Sequence, residues 1–302
     1  MKPLVSIVTP SFNQGDYIEK TIKSVINQDY QNVEHIVIDG GSTDDTLNIL
    51  KKYDSKIKWL SEKDRGQAEA INKGIRLTEG EIVAWLNSDD TFLPEAIKKV
   101  VNCFLNHSKV KMVYGKSYFI DTTGKIVGKY PTEPFDYQRL AAFNFICQPS
   151  AFFKRDAFFD VGELNPGLQY SLDYDLWIRI AKTFQIMYIN QFISNYRLHK
   201  TSKTVSYDHA LRSHKEGMDT ALKHFNWAPI NRVYGFCYHL TEPKLPKFLR
   251  KFRPLTIPLY LFLSILKYLQ LNKGIRYQDI KGLNSNALKK LFIQWNDLYK
   301  SY

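Results

Sequence analysis

The chain has 302 residues, of which 44% are hydrophobic and 24% charged, and this composition excludes a largely disordered protein. Its three cysteines, Cys103, Cys147 and Cys237, are odd in number and far apart, which excludes a disulfide framework and indicates a reducing compartment. Met1 leads into a short apolar run without a cleavage site, so we expect no signal peptide and a cytoplasmic location.

The net charge of +12 is concentrated in the last fifth of the chain. Residues 242–302 contain twelve Lys or Arg and three Asp or Glu, so most of the excess belongs to this tail. A basic tail favours polyanionic partners, either nucleic acid or an anionic membrane surface.

The first 120 residues alternate short apolar runs with amphipathic segments. The apolar runs predict strands over 4–9, 34–39, 57–60 and 81–86, and the amphipathic segments predict helices over 18–26, 47–50, 68–75 and 94–104. This alternation is typical of βαβ units. The sequence therefore predicts an α/β fold with a doubly wound, mostly parallel sheet and flanking helices.

The later residues follow a less regular pattern. We predict a strand over 110–121, a turn at 122–125, and helices over 174–182 and 207–225. These elements divide the chain into a main domain over 1–225, with halves 1–120 and 121–225, and a basic helical extension over 226–302.

The extension contains an apolar run at 255–271, preceded by closely spaced basic residues. Pro258 and Lys267 interrupt the run, and its roughly 17 residues fall short of the 20 that a spanning helix requires. A position in the membrane interface fits better. Packing on the main domain or on a second subunit is an equal alternative, and a short anchor is a third. Helical spacing predicts one more helix, through Leu288, Leu291, Phe292, Trp295 and Leu298.

A polar or glycine-containing segment follows each of the first four predicted strands. These segments are 9–13, 39–44, 61–67 and 87–90. Because the carboxyl ends of parallel strands meet at one edge of a sheet, we expect the four segments to form one site.

The segment Asn87, Ser88, Asp89 and Asp90 follows the fourth strand. Adjacent carboxylates at the end of a buried strand suit Mg²⁺ or Mn²⁺ bound together with substrate phosphates. The structural alternative is that Asp90 caps the next helix. The residues alone leave both interpretations open.

Three further polar residues each have a functional and a structural interpretation. Asp39 ends an apolar strand, where it can bind a uracil imide or a ribose hydroxyl, or support a turn. Asp173 begins a predicted helix, where it can act as a general base or complement the helix dipole. His199 can contact a metal or a phosphate, or be structural.

Taken together, these segments resemble the family-2 glycosyltransferases, whose catalytic domain has the GT-A fold. The resemblance covers about residues 4–202 in consistent order, through segments 5–13, 38–46, 64–74, 87–90, 173–177 and 196–199. It implies an inverting glycosyltransferase in which 1–120 binds a nucleotide-sugar and 121–225 binds the acceptor.

The resemblance also implies the roles of individual residues. Asp173 would be the catalytic base, and Asp89 and His199 would contact Mn²⁺ or Mg²⁺. The expected nucleotide-sugar contacts are Thr9, Pro10, Phe12, Asp39, Asp64, Gln67, Asn87 and Ser88.

The chain departs from the family pattern at three positions. Asn87 replaces the first acid of the Asp-x-Asp motif, and a neutral amide is a poorer Mg²⁺ ligand than a carboxylate. Gly40 replaces the second acid of the Asp-Asp pair after the second strand. Leu172 precedes Asp173 where many members have another acid. The Gln-x-x-Arg-Trp motif of processive members is missing, so we expect one sugar per visit.

Two other classes of protein compete with this interpretation. A nicotinamide dehydrogenase shares the doubly wound sheet, but segment 9–15 lacks the G-x-G-x-x-G fingerprint. A non-catalytic protein that binds membrane or nucleic acid through its tail would leave the four polar segments unexplained.

We therefore expect a metal-dependent hexosyl- or N-acetylhexosaminyltransferase that uses a UDP-sugar. The expected acceptor is a glycan or lipid-linked sugar in bacterial cell-surface polysaccharide synthesis. We also expect peripheral contact with an anionic membrane through 243–302, on the inner face, and no nucleic-acid partner; a homo-oligomer stays open.

Overall fold

The structure is a computed structural model that describes residues 2–199, 202, 207–276 and 279. Within these residues the chain forms two compact units. The first contains residues 2–137 and 144–197, and the second contains residues 138–143 and the described residues from Leu198 onward. The second unit begins before residue 225, where the sequence analysis places the end of the main domain. That domain boundary stays a prediction.

The first half of the first unit alternates strands and helices as predicted. Its elements are β1 (Val5–Ser11), α1 (Ile18–Ile26), β2 (Val33–Asp39), α2 (Thr46–Lys51), β3 (Lys58–Ser61), α3 (Gln67–Leu77), β4 (Ile82–Trp85), β5 (Thr91–Phe92) and α4 (Ala96–Asn106). Helices α1, α3 and α4 each bury one apolar stripe, which is why the 3.6-residue period of the sequence located them.

Longer strands dominate the rest of the chain as far as residue 197. The elements are β6 (Val110–Ile120), β7 (Ile126–Lys129), α5 (Tyr137–Ala142), β8 (Ala151–Lys154), α6 (Arg155–Asp160), α7 (Leu172–Thr183) and β9 (Gln185–Arg197). The sequence analysis did not predict β5, β8 or β9. Strand β9 carries polar residues and only partial burial, so it lacks the alternation that identifies a half-buried strand.

The strands form one mixed sheet in the order β3-β2-β1-β4-β8-β6-β9-β5, with β7 paired to β6. Strands β1 to β4 are parallel, which confirms the doubly wound half of the prediction. In the second half, β8 is antiparallel to β4 and β6, whereas β6 and β9 are parallel. Every residue of β1 and β4 is buried, as expected for parallel strands covered on both faces.

Two packing contacts position the elements beneath the sheet edge. Helix α3 approaches β1 closely at Gly74, where an added Cβ would lie 2.3 Å from the Val8 side chain. Helix α7 is held by Trp177, whose ring stacks on Trp85 of β4 with centroids 5.3 Å apart. Both indoles are fully buried. The N-terminus of α7 is therefore fixed relative to the end of β4.

The second unit is helical. It contains most of α5, followed by α8 (Tyr207–Phe225), α9 (Ile230–Thr241), α10 (Lys247–Lys251) and α11 (Arg253–Leu271). A buried carboxylate joins two of these helices: Asp279 accepts hydrogen bonds from Trp227 Nε1, Tyr268 Oη and the Ile230 N–H at the start of α9.

The apolar run of the extension lies in α11, a helix of 19 residues. In length and composition α11 is sufficient to cross a membrane, so the expectation that this segment falls short of a span is wrong. The sequence underestimated it because the helix begins at Arg253, before the apolar run. One such helix is weak evidence for crossing, since interfacial and core helices meet the same criteria. The predicted helix through Leu288 and Leu298 lies outside the described residues.

Candidate functional site

The loops after β1 and β2 are joined by hydrogen bonds. The Asn13 N–H donates to Ser42 Oγ at 2.7 Å, and the Thr43 N–H donates to Asn13 Oδ1 at 2.9 Å. The Gly15 N–H donates to Asp44 Oδ2 at 2.8 Å. Asn13 adopts a positive φ of 52°, a conformation that asparagine tolerates. Two of the four predicted polar segments thus meet at one sheet edge.

Asp39 is fully buried at the end of β2 and accepts four hydrogen bonds from the protein. The donors are the Gly41 and Ser42 N–H groups, at 3.0 and 2.9 Å, and the hydroxyls of Ser42 and Ser61, at 2.5 and 2.7 Å. A carboxylate has about four acceptor positions. The geometry therefore gives Asp39 the structural role of holding the turn, and its predicted nucleotide contact stays a prediction.

The end of β1 presents residues of very different exposure. Thr9 is fully buried, and its Oγ1 shares a 2.9 Å hydrogen bond with His35 Nε2 on β2. Burial lowers the pKa of His35 to about 3, so this imidazole is neutral at pH 7. Pro10 is also buried, but Phe12 is 59% exposed. Among the predicted contacts on β1 and its loop, Phe12 is the side chain able to stack on a ligand.

The segment after β3 packs against the turn after β2. A Cβ added to Gly40 would lie 2.9 Å from Asp64 Oδ2, so Gly40 makes room for this carboxylate. Asp64 Oδ1 accepts a 2.9 Å hydrogen bond from the N–H of Gly66, the N-cap residue of α3, which has a φ of 123°. An aspartate at position 40 would place a second negative charge against Asp64. The departure from the family pattern at Gly40 thus has a physical reason.

An amide network joins the segments after β3 and β4. Gln67 Nε2 donates to Asn87 Oδ1 at 2.8 Å. Asn87 Nδ2 donates to Gln148 Oε1 at 3.0 Å and to Asp90 Oδ2 at 3.3 Å, and Gln148 Nε2 donates to the Trp85 carbonyl at 2.8 Å. A carboxylate at position 87 would face two acceptors, so an amide fits this position better. The sequence analysis missed Gln148, which lies 61 residues from Asn87.

A buried arginine holds the turn formed by Asp89 and Asp90. The Arg197 N–H donates to Asp90 Oδ1 at 2.8 Å, while Arg197 Nε and Nη1 donate to the carbonyls of Asp89 and Asp121, both at 2.7 Å. Burial, followed by the neighbouring Asp89 charge, raises the pKa of Asp90 well above its usual range. Asp90 does not cap α4, whose N-cap residue is Glu95, so the structural alternative offered for Asp90 is wrong.

Helix α1 supports the same turn from another direction. Thr21 Oγ1 lies 2.9 Å from the Ser88 carbonyl and 2.7 Å from the Asp90 carbonyl. Ser88 itself is buried, whereas Asp89 is partly exposed. The turn therefore presents the Asp89 side chain from a backbone fixed on two sides.

Asp173 lies at the N-terminus of α7. Asn144 Nδ2 donates to Asp173 Oδ2 at 3.3 Å, and the Tyr174 N–H donates to Asp173 Oδ1 at 2.7 Å. The thiol of Cys147 is fully buried, and burial followed by the charges of Asp90 and Asp173 raises its pKa. The short segment 144–148 connects Asp173 to the turn after β4, since Asn144 bonds Asp173 and Gln148 bonds Asn87.

The segment that leads into Asp173 is anchored on two helices. Asn72 of α3 makes two hydrogen bonds with the Leu164 backbone, at 2.8 and 3.0 Å. Arg179 of α7 donates to the carbonyls of Val161 and Glu163 and pairs with the buried Asp175 at 2.8 Å. The sequence analysis assigned no role to Asn72 or Arg179, since each acts on backbone groups outside its own helix.

His199 belongs to the second compact unit, where its N–H donates to Ser202 Oγ at 3.2 Å. Its side chain is buried. Its predicted contact with a metal stays a prediction.

The described residues contain no group of three or more His, Cys, Asp or Glu side chains placed to hold a metal ion. Mg²⁺ and Mn²⁺ need no such cage, because they commonly bind one or two carboxylates together with substrate phosphates. The partly exposed Asp89 carboxylate, on a backbone fixed by Arg197 and Thr21, fits this second arrangement.

Comparison with known proteins assigns the chain to a family. Residues 6–162, more than half of the chain, match the family model described as Glycosyl transferase family 2. The chain belongs to this glycosyltransferase family.

Relatives and solved structures agree with this assignment. Chondroitin synthase from Escherichia coli is 28% identical over 206 residues, which cover 67% of this chain but only 30% of that protein. The crystal structure of S. aureus TarS 1–349 in complex with UDP-GlcNAc is similar with a TM-score of 0.57 and 18% identity, over 80% of this chain and 82% of that one.

A second solved structure is the mannosyltransferase PcManGT from Pyrobaculum calidifontis, in complex with GDP-Man and Mn²⁺. Its TM-score is 0.61 at 16% identity, over 99% of this chain and 84% of that one. At such identities the likeness concerns the fold, and it confirms the predicted GT-A architecture with its C-terminal helical region.

Proposed function

We propose that this chain is an inverting, metal-dependent glycosyltransferase that transfers one sugar per visit from a UDP-sugar to a hydroxyl acceptor. The observation that carries the proposal is the hydrogen-bonded convergence of the segments after β1, β2, β3 and β4 at one sheet edge, together with Asp173. Ligands bind outside the carboxyl ends of such strands.

The donor would lie over the first half of the sheet edge. The exposed Phe12 ring can cover the base, while Pro10 and Thr9 shape the strand end beneath it. Asp64 and Gln67 would face the sugar and diphosphate. The UDP-GlcNAc complex of TarS supports a UDP-sugar, and the GDP-Man complex of PcManGT makes GDP-sugars the alternative. The donor sugar is proposed as a hexose or N-acetylhexosamine.

Asp173 would act as the general base. Its carboxylate would take the acceptor hydroxyl proton as that oxygen attacks the anomeric carbon, and the bond to the diphosphate would break with its electron pair on the leaving oxygen. The single displacement inverts the anomeric configuration. Asn144 and the Tyr174 N–H would hold the Asp173 carboxylate in one orientation during this transfer.

Asp89 would hold Mn²⁺ or Mg²⁺ together with the donor diphosphate. When bound, the metal supplies positive charge that stabilises the leaving diphosphate. Asn87 and Ser88 would complete the diphosphate side as neutral groups, and Arg197 would keep the turn in place.

The proposed acceptor is a glycan or lipid-linked sugar of a bacterial surface polysaccharide, glycosylated on the cytoplasmic side of the membrane. Two findings support this acceptor class: a curated relative is a chondroitin synthase, and the tail from residue 243 is basic and apolar.

The experiment is hydrolysis and transfer with a panel of UDP-, GDP-, TDP- and CMP-sugars, with and without Mn²⁺. We expect metal-dependent turnover of a UDP-sugar. Asp173→Asn should lower kcat by about 10²- to 10⁴-fold and leave donor binding intact, since it removes the base. Asp89→Ala should abolish the metal dependence of donor binding.

The matched control is Asp156→Asn, which changes an exposed carboxylate paired with Lys111 and should leave turnover unchanged. Absence of both binding and turnover for every donor would contradict the proposed function. Full activity of Asp173→Asn would contradict only the role of that residue.

A further inference from the structure

Helix α11 buries a face that carries hydroxyl groups and exposes its apolar face, whereas a surface helix of a water-soluble protein buries its apolar face. The residues it buries are spaced by four and all carry hydroxyls: Thr256, Tyr260, Ser264 and Tyr268. Its large apolar side chains point outward and are between 37% and 60% exposed: Leu255, Leu259, Phe262, Ile265, Leu266 and Leu269. At 3.6 residues per turn, these six fall within an arc of about 120° opposite the hydroxyl face.

The inward hydroxyl face is satisfied within the second unit. Tyr268 Oη donates to Asp279 at 2.6 Å, and Ser264 Oγ donates to the Tyr260 carbonyl at 2.5 Å. The Tyr260 ring packs edge-on against Tyr238 of α9, with centroids 5.1 Å apart. The Tyr268–Asp279 and Tyr260–Tyr238 contacts therefore fix the helix with its apolar face outward, and a rotation that buried this face would break both of them.

The chain around this face is positively charged. Residues 243–276 contain eight Lys or Arg and no Asp or Glu. Phe248 and Phe252, at the preceding helix α10, are also exposed. Exposed Leu and Phe beside Lys and Arg are typical of a surface that binds anionic lipid. A second copy of this face would bring like charges together, which disfavours self-association.

We propose that the outward face of α11 docks on an anionic lipid bilayer, with the helix lying in the plane of the interface. This proposal rests on the second unit and is independent of the glycosyltransferase chemistry. The bilayer would receive the six apolar side chains, and the basic residues of 243–276 would contact the phosphate groups of the lipids.

The neighbour of α11 favours the flat orientation over a crossing one. Helix α9 runs antiparallel to α11: Cys237 Sγ is 3.9 Å from the Leu263 carbonyl, and the Ala228 N–H donates to Asn272 at 2.9 Å. If α11 crossed the bilayer, α9 would enter the hydrocarbon with Arg232 and His239, and burying the charged arginine there is strongly unfavourable. A helix that lies in the plane of the interface places only its outward apolar face in the bilayer.

The first test is flotation of the full chain with vesicles of phosphatidylglycerol and phosphatidylcholine, or of phosphatidylcholine alone. We expect at least about tenfold stronger binding to the anionic vesicles, weakening with added salt. The double variant Phe262→Ser, Leu266→Ser should lower binding at least about tenfold, because both side chains are exposed and their loss removes apolar contact with lipid.

The matched control is Leu105→Ser on α4, which removes a side chain of similar exposure from the first unit. It should leave vesicle binding unchanged. Circular dichroism and thermal melting of all variants separate a loss of docking from a loss of folding.

The orientation is tested with spin labels at Leu255→Cys, Phe262→Cys and Leu269→Cys, since the three native cysteines are buried. Equal immersion depths on anionic vesicles would support a flat helix. A label at 262 deep in the hydrocarbon with shallow labels at 255 and 269 would overturn the flat orientation.

Two further results would overturn the docking proposal itself. A stable dimer in lipid-free solution that does not bind vesicles would assign the face to a second copy. A monomer that binds neither kind of vesicle would show that this face does not dock on lipid.

Discussion

At the residue scale, Arg197 is the side chain that connects the Asp89–Asp90 turn to the end of β9. Its buried guanidinium donates to the Asp89 and Asp121 carbonyls, which lie on different loops. The backbone N–H of Arg197 donates to the Asp90 carboxylate. Removing one partner of a buried ionic network leaves the other groups uncompensated, which is costly. Stability of the turn and presentation of Asp89 should therefore depend strongly on Arg197, which acts together with Thr21.

We predict that Arg197→Met lowers the free energy of unfolding by about 3 kcal/mol, because the buried carbonyls of Asp89 and Asp121 lose their guanidinium donors and the Asp90 carboxylate loses the nearby positive charge. Chemical denaturation measures the change. Arg65→Met, at an exposed arginine whose side chain is 82% accessible, should leave stability unchanged. An Arg197→Met protein as stable as the wild type would contradict this account of the turn.

Gly40 offers a second test at the residue scale, aimed at Asp64. In Gly40→Ala the new Cβ would displace the Asp64 carboxylate, so we expect the KM for the donor to rise about tenfold, as it should in Asp64→Ala. The double variant should have a KM for the donor no higher than that of either single variant, because both changes remove the same interaction. Additive effects in this cycle would show that Gly40 and Asp64 act separately.

At the scale of elements, α3 and α7 hold the segment that leads into Asp173. The Asn72 amide replaces two hydrogen bonds that the Leu164 backbone would otherwise make with water, and both partners are buried. The stacked Trp85 and Trp177 rings fix α7 on the sheet at the same end. The position of the proposed base is thus set by groups that contact no substrate.

We predict that Asn72→Ala destabilises the first unit by about 2 kcal/mol, since it leaves a buried N–H and a buried carbonyl without partners. It should also lower kcat more than it raises KM for the donor, because the displaced segment carries Asp173. Thermal melting and steady-state kinetics measure both effects. The control is Asn48→Ala, at an exposed side chain bonded to Asp45, which should change neither.

At the scale of the whole molecule, each unit contains a buried neutral histidine. Burial lowers the pKa of His35 in the first unit to about 3, and burial together with His239 lowers the pKa of His214 in the second unit to about 3. The unfolded chain binds a proton at each histidine below about pH 6.5. Between pH 3 and pH 6.5 the unfolded state therefore holds more protons, and stability falls as the pH falls.

We predict that both units lose stability on acidification from pH 7 to pH 5, by about 2 kcal/mol for each of these histidines. In His35→Gln, the slope of the first unit's unfolding free energy against pH should fall by an amount that corresponds to close to one proton. Denaturation curves at pH 5 and pH 8 measure the slope, since at pH 8 neither histidine titrates. An unchanged slope in His35→Gln would show that another group causes the acid sensitivity.

The parallel half of the sheet and its polar strand ends were predictable from sequence. Buried parallel strands are continuous apolar runs, and their helices carry a 3.6-residue stripe, so both signals are local. The same local patterns indicated Asp89 and Asp173 as candidate site residues, and their roles stay predictions. They did not show that Asp39 is held by donors from two segments, the turn at 41–42 and Ser61, because these meet only in the fold.

Only the tertiary structure decided which distant residues complete the site and which face of α11 is exposed. Arg197 reaches Asp90 across 107 residues, and Gln148 reaches Asn87 across 61, so no window of sequence contains either pair. The sequence of α11 shows both a hydroxyl face and an apolar face, but only the packing against α9 determines that the hydroxyl face is the buried one. Periodicity reports that a helix has two faces, whereas contacts made elsewhere in the chain determine which of them is buried.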